Sequence, residues 1–241
     1  MASTSSGKQA PAGGRWLKLA LLALFVGVVV AFFALGSQRY LTLDAIKANR
    51  DALLRFTEAH FAAALVIAFF IYAGAVAFSL PGALVLSLAM GFVFGRWVGT
   101  LMVVAAATVG ATIVFLAARY IFADAARKRL GALGEKINAG FTENAFNYML
   151  FLRLVPAFPF FLVNLAPAFT SIPLRTFVLA TFIGIIPGTF VFVNLGETLG
   201  RIDSLHGLVS WETLIAFALL GVIALVPIVI KKMRSKRAPN S

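Results

Sequence analysis

One cation lies inside an otherwise apolar stretch and is the first candidate for chemistry in this sequence. Arg153 occurs in the run FLRLVP, residues 151–156. An ionisable side chain within a membrane segment costs at least about 2.5–3.5 kcal/mol, so such a residue usually marks a function. A guanidinium binds phosphate or carboxylate through two N–H groups, and Arg153 is therefore predicted to anchor an anionic group. The competing interpretation is an interfacial arginine that snorkels to lipid headgroups.

Three further polar side chains interrupt or end apolar runs. Asn164 and Asn194 carry amides that can contact a headgroup or cap the freed backbone of a broken helix. We favour capping over direct contact. Glu197 follows near the end of a predicted span, as a candidate proton site or an interfacial carboxylate. We favour the interfacial position.

The remaining titratable residues form no catalytic or metal-binding pattern. His60 and His206 are isolated, and the chain has no Cys, which excludes a disulfide, a thiolate nucleophile and a Cys-based metal site. The sequence contains no Ser/His/Asp arrangement, no phosphate-binding Gly loop and no carboxylate pair in an apolar run. We expect no metal, no cofactor and no enzymatic activity.

The composition indicates which elements must position these side chains. The 241 residues are 61% hydrophobic and 12% charged, whereas a soluble domain is about 45–50% apolar and about 25% charged. A soluble fold of this size would have too few polar side chains to cover its surface. The sequence predicts an all-α integral membrane protein, a polytopic helical bundle.

The net charge of +12 raises the question of the partner. The basic residues lie at segment ends and in loops, and a basic tail at 231–241 directly follows an apolar run. This placement is typical of an orientation signal and of binding to anionic lipid headgroups. We expect membrane lipids as partners and no nucleic acid, and leave open a homo-oligomer.

The chain divides into membrane and surface segments. The apolar run 19–35 exceeds the roughly 7–15 residues of a signal-peptide core, so a transmembrane helix is favoured over a cleaved signal. Charge pairs at i,i+4 spacing, such as Lys47/Asp51, indicate a helix too polar to span. In chain order we predict a disordered tail (1–14), a first transmembrane helix (15–38), an interfacial amphipathic helix (39–60), a core (61–199), a loop (200–211), a last transmembrane helix (212–230) and a basic cytoplasmic tail (231–241).

Two apolar regions of the core are broken by Pro and Gly. Pro81 and Gly82 interrupt the first region, and Pro156 and Pro159 interrupt the second. Pro removes a backbone donor and clashes with the preceding turn, and in hydrocarbon the freed groups must be satisfied by protein or by a wet cavity. The first region is either two spans or a re-entrant hairpin that enters and leaves on one side. We favour two opposed re-entrant helical hairpins.

The two broken regions have the spacing of an internal repeat. Pro81 and Pro159 differ by 78 positions, as do Gly110 and Gly188. Paired interruptions of this kind indicate an inverted repeat with a transporter-like site. With a cytoplasmic N-terminus, the hairpins open to opposite sides, and residues 123–147 and the basic tail fall inside, in agreement with the positive-inside rule. We predict a multi-pass protein of the cytoplasmic (inner) membrane with both termini cytoplasmic.

Small residues at four-residue spacing let helices approach closely in lipid. The predicted packing positions are Gly91, Gly95, Gly99, Gly110, Gly184, Gly188 and Gly196.

Several runs carry a family resemblance. They are Leu80-Pro81-Gly82, Gly91-Phe92-Val93-Phe94-Gly95, Gly110, Ala118-Arg119-Tyr120, Phe151-Leu152-Arg153-Leu154-Val155-Pro156, Pro159-Phe160, Asn164, Gly188 and Gly196. From about residue 78 to 200 the chain resembles the DedA superfamily, and more closely its SNARE-associated Golgi protein or VTT-domain branch. The resemblance implies two hairpins facing each other from opposite leaflets, and lipid scrambling or polyprenyl-phosphate translocation, with proton coupling in some members. The chain departs from the DedA branch in lacking an acidic residue around Pro81 and in having Pro159 at the position of that branch's second Arg.

The expected function is movement of a phospholipid or other lipid phosphate between leaflets, with Arg153, Asn164 and Asn194 at the headgroup. A proton- or ion-coupled transporter of a small solute is the alternative, with Glu197 as its proton site. A scaffold protein without transport activity is the third interpretation.

Overall fold

The computed structural model describes residues 13–40, 42–129, 144–155 and 158–198, and every regular element in these ranges is helical. In chain order the helices are α1 (Gly13–Ala34), α2 (Leu43–Ala48), α3 (Arg50–Ala59), α4 (Phe61–Ala77), α5 (Ala83–Arg129), α6 (144–154), α7 (Phe160–Leu165) and α8 (Leu174–Glu197). Short 3-10 helices cover Ser37–Tyr40 and Ala166–Phe169.

Three helices of the described ranges are long and apolar enough to cross a membrane. They are Trp16–Ala34, Ala83–Ile121 and Leu174–Glu197. A fourth span results if α3 and α4, which are bent by 119° at His60, are counted as one broken span. The predicted fold class, an all-α membrane protein, is confirmed.

Several predicted boundaries differ from the observed ones. The first helix ends at Ala34 rather than at 38. The amphipathic stretch is not one helix but two, α2 and α3, separated at Asn49. Helix α5 continues to Arg129, and the part of it that is apolar enough to span ends at Ile121. The loop 200–211, the last transmembrane helix, the basic tail and residues 1–12 of the N-terminal tail lie outside the described residues.

The first broken region folds back on itself. Residues 78–82 separate α4 from α5, and Gly82 has a φ of 111°, a conformation that glycine adopts without steric cost. Gly95, with φ 73° and ψ 173°, then divides α5 into a short arm (83–94) and a long arm (96–129). At 1.5 Å per residue the short arm is about 18 Å long, which is well below the roughly 30 Å of a bilayer core.

Two aromatic contacts show how this hairpin lies relative to α1. The rings of Phe61 and Phe94, at its two ends, lie 5.9 Å apart. The ring of Phe78, at its turn, lies 5.9 Å from that of Phe25, and Phe25 is the middle residue of the candidate span Trp16–Ala34. The turn therefore lies beside the middle of α1.

A buried polar contact closes the hairpin from inside. The hydroxyl groups of Tyr72 on α4 and Ser87 on the short arm are 2.9 Å apart, and Ser87 also donates to the Ala83 carbonyl at 2.9 Å. These bonds satisfy polar groups that would otherwise be stranded in an apolar interior.

The second broken region follows the same order. Helix α6 is followed by a break, then by the apolar helical stretch Phe160–Phe169, and then by α8. The stretch has 10 residues, so it spans about 15 Å. Pro173, at the start of α8, corresponds to Gly95 under the 78-residue offset, so both repeats change direction at the same point.

Glycine lets the two repeats meet backbone to backbone. A Cβ on Gly91 of the short arm would collide with the Val193 carbonyl of α8, and one on Gly196 of α8 with the Leu88 carbonyl of the short arm. Gly110 has the same relation to the Ala73 carbonyl of α4. The long arm packs against both α8 and α4, so that it lies at the centre of the bundle.

The other predicted packing glycines differ among themselves. A Cβ on Gly99 would lie 2.8 Å from the Met90 carbonyl oxygen, and one on Gly184 would lie 2.7 Å from Cβ of Arg153. Gly95 instead forms the break in α5. Added Cβ atoms on Gly95 and Gly188 meet no described atom within 4 Å, so neither position is a close helix contact within the described residues.

Candidate functional site

Arg153 lies at the end of α6, at the edge of the second break, and is held by α8. Its Nε and Nη2 atoms donate to Oγ1 of Thr181 at 3.2 and 2.9 Å. Its guanidinium carbon lies 5.5 Å from the ring centre of Phe177. No carboxylate of the described residues pairs with Arg153. Since a guanidinium carries five N–H donors, several of them have no hydrogen-bond partner among the described residues.

Phe177 belongs to a stack of four side chains that we call the Arg–Phe stack. Its ring lies 4.2 Å from that of Phe115 at an interplanar angle of 20°, and both residues are fully buried. The Arg119 guanidinium carbon lies 4.4 Å from the Phe115 ring on the other side. Two cations, one from each repeat, therefore flank one aromatic pair, an arrangement stabilised by cation–π attraction.

Arg119 is committed to the backbone of the second repeat. Its Nε donates to the Ala168 carbonyl at 3.3 Å, and its Nη2 donates to the carbonyls of Thr170 and Ile172 at 2.8 and 2.9 Å. These oxygens lie where the short apolar stretch ends before α8. Carbonyls at a helix C-terminus lack intrahelical partners and carry partial negative charge, so a guanidinium suits them.

Glu197 makes the corresponding contact to the first repeat. Its Oε2 accepts hydrogen bonds from the backbone N–H and the Nε of Arg96 at 3.0 and 2.7 Å, and its Oε1 accepts from Nη2 at 3.3 Å. Arg96 is the first residue of the long arm, and backbone N–H groups at a helix N-terminus attract anions. The predicted proton site therefore lies in an exposed ion pair.

Arg119 and Glu197 occupy equivalent positions, because they also differ by 78 residues. Each lies in the spanning helix of one repeat and binds the backbone at the point where the other repeat changes direction. The cation binds carbonyls and the anion binds an N–H group, as the polarity of each helix end requires. We call these contacts the reciprocal ties. Neither Arg96 nor Arg119 stands out as a site residue in the sequence, although the 78-residue offset relates 119 to 197.

Neither Asn164 nor Asn194 is hydrogen-bonded to Arg153, whose described side-chain partner is Thr181. Asn164 of α7 is fully buried, and neither atom of its amide has a hydrogen-bond partner among the described residues. Asn194 of α8 is half-buried. Pro81 and Gly82 lie in the first break and Pro159 directly precedes α7, whereas Pro156 lies outside the described residues.

Comparisons with known proteins relate this architecture to a family. The model of the VTT domain matches residues 80–198. Transmembrane protein 41 homolog of Dictyostelium discoideum is 31% identical over 191 residues, which cover 78% of this chain and 57% of that protein. Transmembrane protein 41B of Xenopus tropicalis is 27% identical over 198 residues, covering 81% of this chain and 71% of that protein.

The Transmembrane protein 41 homolog of Caenorhabditis elegans is 24% identical over 231 residues, or 90% of this chain and 94% of that protein. No solved structure matches the chain. The matched domain begins within the first break, at residue 80, and ends just after Glu197, so it contains the Arg–Phe stack and the reciprocal ties. The chain therefore contains a VTT domain, which places residues 80–198 in the VTT-domain branch of the DedA superfamily.

Proposed function

We propose that this protein moves lipids with an anionic headgroup between the two leaflets of its membrane, and that Arg153 guides the headgroup. The proposal rests on the surroundings of the Arg153 guanidinium. Thr181 and Phe177 hold the guanidinium at a helix break, and no described carboxylate neutralises it. A cation within a membrane segment costs free energy, and binding of an anion would offset that cost.

The paired helix breaks support a route for the headgroup. The turn of the first hairpin lies beside the middle of α1, and the short arm is about 18 Å long. Two half-depth hairpins from opposite faces would replace part of the hydrocarbon barrier by backbone polar groups and a cation. The acyl chains would stay in lipid while the headgroup passes.

The resemblance to the DedA superfamily favours a lipid over a small solute as the cargo. The names of the relatives specify a transmembrane location and no substrate. The proposal includes no catalytic step and no cofactor. It places both termini on the cytoplasmic side.

The test is a leaflet-exchange assay with purified full-length protein in vesicles that contain a fluorescent phospholipid. A quencher added outside reaches inner-leaflet label only after exchange. We expect wild-type protein to accelerate the loss of fluorescence over empty vesicles. Hydrogen bonds to a charged group contribute about 1.5–3 kcal/mol each, so Arg153→Gln should slow exchange by about tenfold or more.

Arg175→Gln is the matched control, because Arg175 is an exposed arginine near the start of α8. The variant should exchange lipid at the wild-type rate. Exchange no faster than in empty vesicles, or equal rates for Arg153→Gln and Arg175→Gln, would refute the proposal.

Proton-coupled solute transport is the alternative that relied on Glu197. The carboxylate accepts three hydrogen bonds from Arg96, which supports a structural role for it. Solute uptake driven by a pH gradient, and lost in Glu197→Gln, would instead favour the transporter.

A further inference from the structure

A long apolar cavity lies between α1, α4 and the long arm. Its volume is about 530 Å³, which falls within the roughly 300–1,000 Å³ of small-molecule sites. Its walls include Phe25, Phe70, Gly74, Ile113 and Leu165, and almost all the exposed lining is apolar. Water would find few polar partners there.

The cavity is elongated along the spanning helices. Val109, Ile113, Ala117 and Ile121 of the long arm all line it, and they follow one another at four-residue steps. Residues at this spacing share one helix face, and 12 residues correspond to about 18 Å of helix. The cavity is therefore a slot parallel to the spans.

A cation marks one end of the slot. The ammonium of Lys18 lies 5.4 Å above the ring of Tyr120, next to the lining residue Ile121. Leu22 and Phe25, which line the slot, follow Lys18 on α1 by four and seven residues. They therefore lie about 6 and 10 Å deeper in the membrane, while Lys18 begins the apolar run at the headgroup level.

We infer that the slot binds one acyl chain of an anionic phospholipid whose headgroup lies at Lys18. The lining helices are spans or parts of a hairpin, so hydrocarbon is the medium that surrounds them. An apolar slot with a basic residue at headgroup level complements both parts of such a lipid. The inference involves neither Arg153 nor leaflet exchange, so it stands or falls separately from the proposed function.

Gly74 allows a direct test of lipid binding in the slot, because an added Cβ there meets no described atom within 4 Å. The side chain of Gly74→Phe can therefore enter the slot without a backbone collision. Gly27→Phe is the matched control: Gly27 of α1 is equally open and lies outside the lining.

The experiment is native mass spectrometry of the full-length chain in detergent with dioleoyl phosphatidylglycerol or dioleoyl phosphatidylcholine added. Wild-type protein and Gly27→Phe should each retain one phosphatidylglycerol, and Gly74→Phe should retain none. Lys18→Gln should lower retention of phosphatidylglycerol, but not of phosphatidylcholine, by about fivefold, because one Lys near an anionic headgroup contributes about 1 kcal/mol.

If Gly74→Phe elutes as an aggregate, Gly74→Leu, which adds less volume, is the deciding variant. Retention of phosphatidylglycerol by a folded Gly74 variant at the level of Gly27→Phe would overturn the inference. A disulfide between Gly74→Cys and a cysteine placed within 213–230 would also overturn it, because the chain's own last apolar segment would then fill the slot. The chain has no native Cys, so such a bond is unambiguous.

Discussion

At the scale of single residues, two arginines flank the same aromatic pair and differ in their commitments. Arg119 donates to three carbonyl oxygens, whereas Arg153 donates to one hydroxyl. The Arg119 guanidinium therefore makes structural hydrogen bonds, whereas the Arg153 guanidinium has N–H groups without a partner among the described residues, which an anion can bind. Sequence alone ranks Arg153 first because of its apolar neighbours, but it does not show Thr181 or Phe177 beside it, since both lie on a helix about 25 residues later.

The close crossing of the short arm and α8 gives a stability prediction. Gly91→Ala places a Cβ against the Val193 carbonyl, and overpacking of this kind costs about 1–3 kcal/mol. We expect a lower unfolding temperature of the purified protein, measured by the fluorescence of its Trp residues. Gly188→Ala is the control because its Cβ meets open space, and Ala is favoured over Gly in a helix by about 1 kcal/mol. Equal unfolding temperatures for the two variants would contradict the close crossing.

At the scale of elements, the reciprocal ties connect each spanning helix to the other repeat. The 78-residue offset between matching Pro and Gly positions also relates Arg119 to Glu197. The sequence could not reveal that these residues bind backbone groups. The N–H group bound by Glu197 and the carbonyls bound by Arg119 are available only because the helices end near Gly95 and Pro173, and the sequence did not locate those ends.

The Arg96–Glu197 tie predicts an asymmetric response to exchange of the two charges. Arg96→Gln and Glu197→Gln should each lower the unfolding temperature slightly, because exposed ion pairs stabilise weakly. The double variant Arg96→Glu/Glu197→Arg should not recover it, because an arginine at 197 would face the backbone N–H group of residue 96. Full recovery would show that only the ion pair matters, and not the backbone hydrogen bond.

The Arg119 tie should be the stronger of the two. Arg119→Gln removes hydrogen bonds from three carbonyls, each worth about 1.5–3 kcal/mol with a charged donor. We expect the variant to be destabilised by at least about 3 kcal/mol in denaturant unfolding of the detergent-solubilised protein. Arg175→Gln should leave the unfolding curve unchanged. Equal curves for the two variants would show that the tie contributes nothing.

At the scale of the whole molecule, the depth of the hairpins is the central prediction. The contact between Phe61 and Phe94 brings the ends of the first hairpin together, so single cysteines at His60 and Arg96 should react with an impermeant reagent from the same side of the membrane. A cysteine at Leu80, in the turn, should resist the reagent from both sides, since the turn lies beside the middle of α1. Labelling of Leu80→Cys from the opposite side would show two full crossings instead.

Much of this architecture follows from composition, apolar run length and the Pro and Gly interruptions. Charge placement agrees with half-depth hairpins but cannot separate them from two full crossings, because both return the chain to the same side. The break at Gly95, which shortens one arm to residues 83–94, favours half-depth hairpins. Sequence did not locate that break, since glycine at four-residue spacing also indicates helix packing, as it does at Gly91 and Gly99.

The backbone contacts of Gly91 and Gly196 have a mechanical consequence. Because no side chains separate the short arm from α8 at these points, we expect the two helices to move together. The short arm lies between Gly82 and Gly95, whose positive φ angles make them candidate hinges for its rotation. A rotation of the short arm would therefore carry α8, and with it part of the second repeat.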